Sequence, residues 1–284
     1  MPITPQHLDG ITDDLPELAA YRRTATRLHP RRGAPGIGDS SVGGPLLWPA
    51  TEEWPVCTDD HRSWIEFEGP GAGKIDTDPV PLIPVAQLYR RDTADYLGPE
   101  GTDLLQVLWC PVDHDPLWTP AVTVRWRRSG EVTNVLRTPP SPSWVGNDLY
   151  VPAACTVSPE QITEYEYHAL LPGDLAARVA VWEERTGRRY GWGRSITTGW
   201  KVGGYASWTL TDPQPMRCED CGSSMTLLLK AHGAEWDGDE LWHPVGAHTP
   251  AERDPTGIVI GRGYALWVWM CDADWEHPVG LSMQ

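Results

Sequence analysis

Long hydrophobic runs are missing from this chain: no apolar stretch approaches the roughly 20 residues that a membrane-spanning helix needs. The amino-terminal stretch MPITPQHLDGITDDLPEL has neither a basic cluster nor an apolar core, so no secretory leader is read there and a cytoplasmic protein is expected. Positive charge is scarce as well. Against 39 Asp and Glu stand 23 Lys and Arg, a formal charge of −16. The longest basic cluster is HPRRG, with Arg31 and Arg32, which is too short for a phosphate-binding patch. Neither nucleic acid nor an anionic membrane surface is therefore an expected partner. Phenylalanine occurs once, at Phe67, beside sixteen Trp and nine Tyr, a balance suited to surfaces where one ring edge is dry and the other hydrogen-bonds. Patterns of the G-x-S-x-G, H-E-x-x-H and Walker types do not occur. The short GRG of Gly261–Gly263 precedes a strand rather than a helix and reads as a tight turn.

What is present points to a β-rich α+β fold with antiparallel sheets and a few helices. The 28 Gly and 28 Pro favour turns and short strands over long helices. PLIPVAQLYRRD, DLLQVLWCPVD, AVTVRWRR, EVTNVLR, ASWTL, MTLLLKAHG and GYALWVWMCD read as strands. Helices are expected over 15–29, where LPELAAYRRTATRLH has helical periodicity, and over 173–187, where Asp174 opens and Gly187 closes the run. The SPEQ of 158–161 has the capping-box pattern and reads as another helix start. DELWHPVGAHTPAERDPTG, 239–257, reads as a polar surface loop.

An internal repeat divides the chain. SVGGPLLWPATEEWP lies over KVGGYASWTLTDPQP, with Val42, Gly43, Gly44, Trp48, Thr51 and Pro55 matching Val202, Gly203, Gly204, Trp208, Thr211 and Pro215 at one constant spacing. LLQVLWCPVDHDP lies over ALWVWMCDADWEHP at nearly the same spacing, pairing Cys110 with Cys271. Two related halves follow, 1–150 with the leading helix and 151–284, with TPPSPSWVGND as the boundary. Duplicated halves of this kind are expected to form one compact unit about a pseudo-twofold axis, often sharing one continuous sheet because each half alone leaves an exposed edge.

Cysteine carries the chemistry. Cys218 and Cys221 form the single C-x-x-C, and CDADWEH supplies Cys271 and His277. Structural zinc takes four tetrahedral S or N ligands from two short knuckles, so Cys218, Cys221, Cys271 and His277 are the expected site, with Gly222 allowing the tight turn. Reduced buried thiols and a redox dithiol are the alternatives. The strand-like run after CEDCG disfavours the dithiol, which normally opens a helix. The repeat then places Cys57 and His61 over the first pair and Cys110 and His114 over the second, a Cys2His2 set for a second zinc, with core cysteines and a solvated loop histidine at His61 as the metal-free alternative. Cys155 has no partner in this scheme and reads as a buried thiol. His232, near Glu235, Asp237 and Asp239, could be drawn as a hydrolytic dyad, although a polar hairpin end is the simpler reading. His243 and His248 read as solvated loop residues.

KVGGYASW, CEDCGSSMTLLL and an aromatic strand ending in Cys together resemble the YwqG-like proteins (domain of unknown function 1963), in particular their actinobacterial type. The resemblance runs from about RLHPRRGAPGIGDSSVGGPLLWP to the carboxyl terminus. A more distant similarity is to the programmed-cell-death-2-like proteins, associated with ribosomal-protein handling, which share a GG-x-P-x-W, C-x-x-C, LLQ and strand–Cys order. This chain departs from that pattern: Ala206 replaces Pro, LLLK replaces LLQ, and His277 closes the second knuckle. The resemblance implies an α+β fold of two related halves and assigns no catalytic residue.

The expected function is therefore a zinc-stabilised interaction or chaperone-like protein, with the metal structural and a protein partner met through Trp64, Trp118 or Trp144. One alternative is a hydrolase using Asp and His in the cleft between the halves. Another is an immunity-type inhibitor whose negative charge meets a basic toxin.

Overall fold

The computed structural model describes residues 4, 10–59, 61, 79–236 and 242–284. Trp64, Phe67, Asp237 and Asp239 lie outside them. The described residues form mostly antiparallel sheet with few helices, a β-rich α+β fold.

Two six-stranded sheets dominate, their strands numbered in chain order. One runs, in space, β2 (Arg31–Arg32), β9 (Cys155–Thr156), β3 (Ser41–Val42), β6 (Ile83–Tyr89), β7 (Leu104–Trp109), β8 (Val122–Arg127). The other runs β10 (Glu160–Tyr165), β1 (Arg22–Arg27), β11 (Lys201–Gly203), β12 (Met225–Ala231), β13 (Leu266–Cys271), β14 (Gly280–Met283). A small ribbon joins β4 (Val56–Cys57) to β5 (Val80–Pro81). Each large sheet has the same right-hand portion: a short strand, a long hairpin with one bulge, and an edge strand. The bulges fall between Pro84 and Ala86 in one sheet and between Leu227 and Leu229 in the other.

The chain crosses between the sheets. Strand β1 precedes all of the first sheet's strands, yet it pairs with β10 and β11 in the second. Strand β9 follows β8, yet it pairs with β2 and β3 in the first. The inner faces share one core, in which Val42, Val85 and Trp109 meet Val202, Leu228 and Met270.

Two of the glycines aligned in the sequence analysis have a backbone reason. Gly43 has φ of 65°, and a Cβ there would lie 2.6 Å from the Pro152 carbonyl oxygen. Gly204 has φ of 74°, and a Cβ there would lie 1.9 Å from Glu164 Oε1. Only glycine meets both demands.

Several local expectations are corrected. The helix over 15–29 is a 3-10 turn, Pro16–Tyr21, followed by β1. Pairing on both edges wins over helical periodicity there, and Thr24 and Thr26 donate to Asp95 at 2.5 and 2.8 Å. The SPEQ segment does not start a helix; Glu160 opens β10, whose Ile162 and Glu164 alternate inward. The capping box that forms is Thr249 with Glu252, opening the short helix Pro250–Arg253. EVTNVLR makes a single bridge, Val135 to Pro49, and ASWTL forms no strand. Nor is the 239–257 segment wholly a surface loop: Trp242 is buried, and its carbonyl accepts from Arg27 Nη1 at 3.0 Å.

The helix expected at 173–187 is observed as Gly173–Thr186, with Gly187 in the left-handed conformation at its end. It buries Leu175, Val179 and Trp182 in a cluster with Leu18 and Tyr190.

Candidate metal centres

Each centre begins with a strand end that a tight turn brings back beside its neighbour. In the second half, Cys218 N donates to the Ser223 carbonyl at 2.9 Å and Gly222 N to the Cys218 carbonyl at 2.8 Å. Gly222 makes that turn with φ of 71°. Strand β13 ends on Cys271, which pairs across the hairpin with Met225. The Asp274–His277 segment then folds back, so that His277 Nδ1 lies 3.5 Å from Cys218 Sγ and Cys221 Sγ 3.5 Å from Cys271 Sγ. All six cysteines are free thiols.

The first half repeats this arrangement. Leu82 N donates to the Pro55 carbonyl, as Met225 N donates to the Met216 carbonyl, which sets Cys57 where Cys218 stands. Cys57 Sγ lies 3.6 Å from His61 Nε2 and 3.9 Å from His114 Nε2, and Cys110 Sγ lies 3.5 Å from His61 Nε2. The four ligand atoms of each set lie within 4.8 Å of one another.

These separations fit one ion per set. Tetrahedral zinc bonds of about 2.0–2.3 Å imply ligand–ligand edges of roughly 3.4–3.8 Å. The short contacts here, 3.5–3.9 Å, have that size. One thiol in each set, Cys57 and Cys221, also favours the anionic form that a metal requires. The Cys110 thiol beside Cys57, with His114 and His61 adding to it, holds the Cys57 thiol far below its usual range. Hydrogen bonds at Ser223 lower Cys221 to about 6. Cys110 and Cys271 are pushed the other way, Cys110 by Cys57 and Cys271 chiefly by loss of solvent. The two cysteines of one set and the three of the other lie so near one another that their thiolate forms would repel, which a bound cation would offset.

Two aspartates complete the geometry, and the sequence analysis missed both. His114 presents Nε2 to Cys57 while its Nδ1 lies 3.1 Å from Asp59 Oδ2. His277 presents Nδ1 to Cys218 while its Nε2 lies 3.7 Å from Asp274 Oδ2. At 3.1 Å the Asp59 carboxylate is close enough to fix the His114 ring and its tautomer behind the metal-facing nitrogen, whereas Asp274, at 3.7 Å, is a charge neighbour beyond hydrogen-bond length. The acidic residues inside CTDDH and CDADWEH were the available signal.

Each centre is set in its own apolar cluster with a tryptophan pair. Cys57 and Cys110 pack with Trp48 and Trp54, whose rings are 5.0 Å apart. Cys218 and Cys271 pack with Trp208 and Trp269, 6.0 Å apart. Trp144 packs its ring 5.9 Å from that of His61. Trp118 stands 45% exposed.

The remaining candidates lie apart from the two sets. Cys155 is buried, donates to the Pro255 carbonyl, and is raised to about 11 by burial. His232 Nε2 faces the Gly263 carbonyl at 3.4 Å, and Glu235 turns away from it to His29, whose Nδ1 is 3.1 Å from Glu235 Oε2. His243 stacks on Trp236 at 4.4 Å rather than standing in solvent, whereas His248 is exposed. A cavity of about 230 Å³ is lined from both halves, by His29–Arg32 and by Glu235 and the 244–255 segment. Its buried His29 and Glu235 are tied to Glu160 and Arg27 in ion pairs.

No family model matches the chain, and no curated protein matches it in sequence. Two compact Cys/His sets able to hold metal ions are thus the functional feature shown by its own residues. Among the described residues no helix is long and apolar enough to cross a membrane.

Proposed function

We propose that the protein is a zinc-stabilised cytoplasmic interaction protein, with both metals structural. The observation that carries this reading is closure: each set supplies four protein ligands at tetrahedral separations, leaving no coordination position for a substrate or an activated water. The ligands are soft thiolates and imidazoles, which suit zinc over magnesium or calcium. Each ion would tie a knuckle turn to the end of a central hairpin strand, one per sheet.

The resemblance to the YwqG-like proteins and the origin of the halves by duplication are part of the same proposal. They are supported by the matching β6–β7 and β12–β13 hairpins, their bulges and the equivalent cysteines. The exposed Trp118 is the proposed contact residue for a protein partner, in a chain whose acidity favours a basic one.

Elemental analysis of the purified, reduced protein tests the metal. Two zinc ions per chain support the reading, one confines it to a single half, and a fully folded metal-free chain overturns it.

A further inference from the structure

The helix Gly173–Thr186, α2 in this chain (α1 being the single turn Ile11–Asp14), does not bury all of its apolar side. After Gly187 the chain doubles back and forms one π turn, Gly191–Ser195, closed by Ile196 N donating to the Gly191 carbonyl at 2.9 Å. Single π turns are energetically poor and recur at functional sites. Between α2 and this turn lies a groove of about 520 Å³, within the usual size range of small-ligand sites.

Its wall is apolar: Leu171, Val179 and Ile196 form the floor, and Trp192 stands 41% exposed at the mouth. Leu170, next to the floor, is 47% exposed. Exposed apolar area concentrated at one concave place marks a binding surface. The rim carries the opposite sign to the chain as a whole. Arg188 and Arg189 line it; the carboxylate in the lining, Glu183, accepts from Tyr190 N at 2.6 Å, and Asp14 lies within electrostatic reach of Arg188. In a molecule of net charge −16 a cationic rim over an apolar floor selects for one kind of ligand.

We propose that this groove binds a small amphiphilic organic anion, an aryl or alkyl carboxylate or sulfonate, with its tail against Leu171, Val179, Ile196 and Trp192 and its charge at Arg188 and Arg189. Arginine provides planar, paired donors matched to a carboxylate, and the aromatic mouth covers the tail. The site gives the binding reading a ligand class; Leu171 and Val179 belong to the α2 cluster, whereas Ile196 packs in the cluster of Cys218 and Cys271, so zinc content has to be followed alongside binding.

The test is a fluorescence titration of the full chain with 8-anilinonaphthalene-1-sulfonate, with zinc content measured on the same samples. One saturable site with blue-shifted emission is expected, displaced by octanoate and not by octylamine. The double variant R188E/R189E should weaken binding by about tenfold or more, while R128E/R262E, with the same charge change elsewhere, should bind as the wild type does. Circular dichroism checks that each variant is folded; should R188E/R189E fail to fold, the single variant R189Q replaces it, and weaker binding is again expected. Emission that rises without saturating, equal binding by the rim variant, or equal displacement by octylamine would overturn the proposal. Because zinc is counted independently, a groove that binds nothing and a chain that holds no metal are separate results.

Discussion

Lys230 lies next to Lys201 across neighbouring antiparallel strands, and both side chains are buried, Lys230 at 4% exposure and Lys201 at 1%. The carboxylate of Glu164 accepts from Lys201 Nζ, with Oε2 at 2.7 Å. Lys230 Nζ donates to the Thr197 carbonyl. Both amines lie about over the Trp267 ring, at 5.5 and 5.1 Å from its centroid. Burial, reinforced by the charge of Lys201, pushes the Lys230 amine down to about 7.

That depression gives a signed pH dependence. Between pH 7 and 10.5 the unfolded chain binds a proton at Lys230 that the folded chain does not, so this group's contribution to stability rises with pH across that window. Below pH 7 the unfavourable contribution is full and constant. Denaturation of wild type and K230M, followed from pH 6 to 10, should show the difference shifting toward wild type as pH rises. Parallel curves would remove the assignment.

Loss of one metal should be local in cause and global in effect. C271S is expected to retain one zinc ion and to lower Tm by about 10 °C or more, because metal binding energy is folding energy and each kcal/mol moves Tm by ~2–4 °C in a chain of this size class. C110S should do the same through the other centre. An unchanged melt with either substitution would count against a structural ion at that centre. D59N, which leaves the ligands intact, should weaken zinc retention against a competing chelator by about 10–100-fold, and D274N, whose carboxylate stands 3.7 Å from His277, by less.

Thiol exposure predicts an order of reaction. With metal removed under native conditions, iodoacetamide should reach Cys221 first, since it alone among the six cysteines is exposed, and Cys110 and Cys155, fully buried with their thiols pushed up, last. Zinc-loaded protein should protect Cys221. Peptide mapping after timed alkylation reads both, and early labelling of Cys155 would contradict the packing around it.

Two glycines with similar backbone angles should differ in cost. Gly187 has φ of 68° and nothing within 4 Å of a built Cβ, so G187A should lose only about 1 kcal/mol for the left-handed conformation. G204A places a methyl against Glu164 and should lose more than about 3 kcal/mol or fail to fold. Equal melting temperatures for the two would show that the Glu164 contact yields.

Much of the candidate site was legible because a C-x-x-C turn is local. Cys218 and Cys221 are three residues apart, a single turn sets their geometry, and repeat matching carried the pattern to Cys57, His61, Cys110 and His114. The strands β6, β7, β12 and β13 were legible for a related reason: their buried runs stand in the sequence as continuous apolar segments. The 15–29 segment misled because Leu18, Ala25 and Leu28 suit more than one period, and its strand portion is stabilised by partners about 140 and 175 residues further along the chain.

Residue chemistry and short spacing already specify two sets of four Cys and His able to hold metal ions, the excess of acidic residues and the β-rich class. Tertiary structure alone decided that β1 and β9 cross to the opposite sheets, that Asp59 and Asp274 sit behind the histidines, and that a charged layer of Arg27, Glu164, Lys201, Lys230 and Glu235 is buried. Each of these depends on partners distant along the chain, where the free energy of long-range pairing and of burying paired charge outweighs local preference.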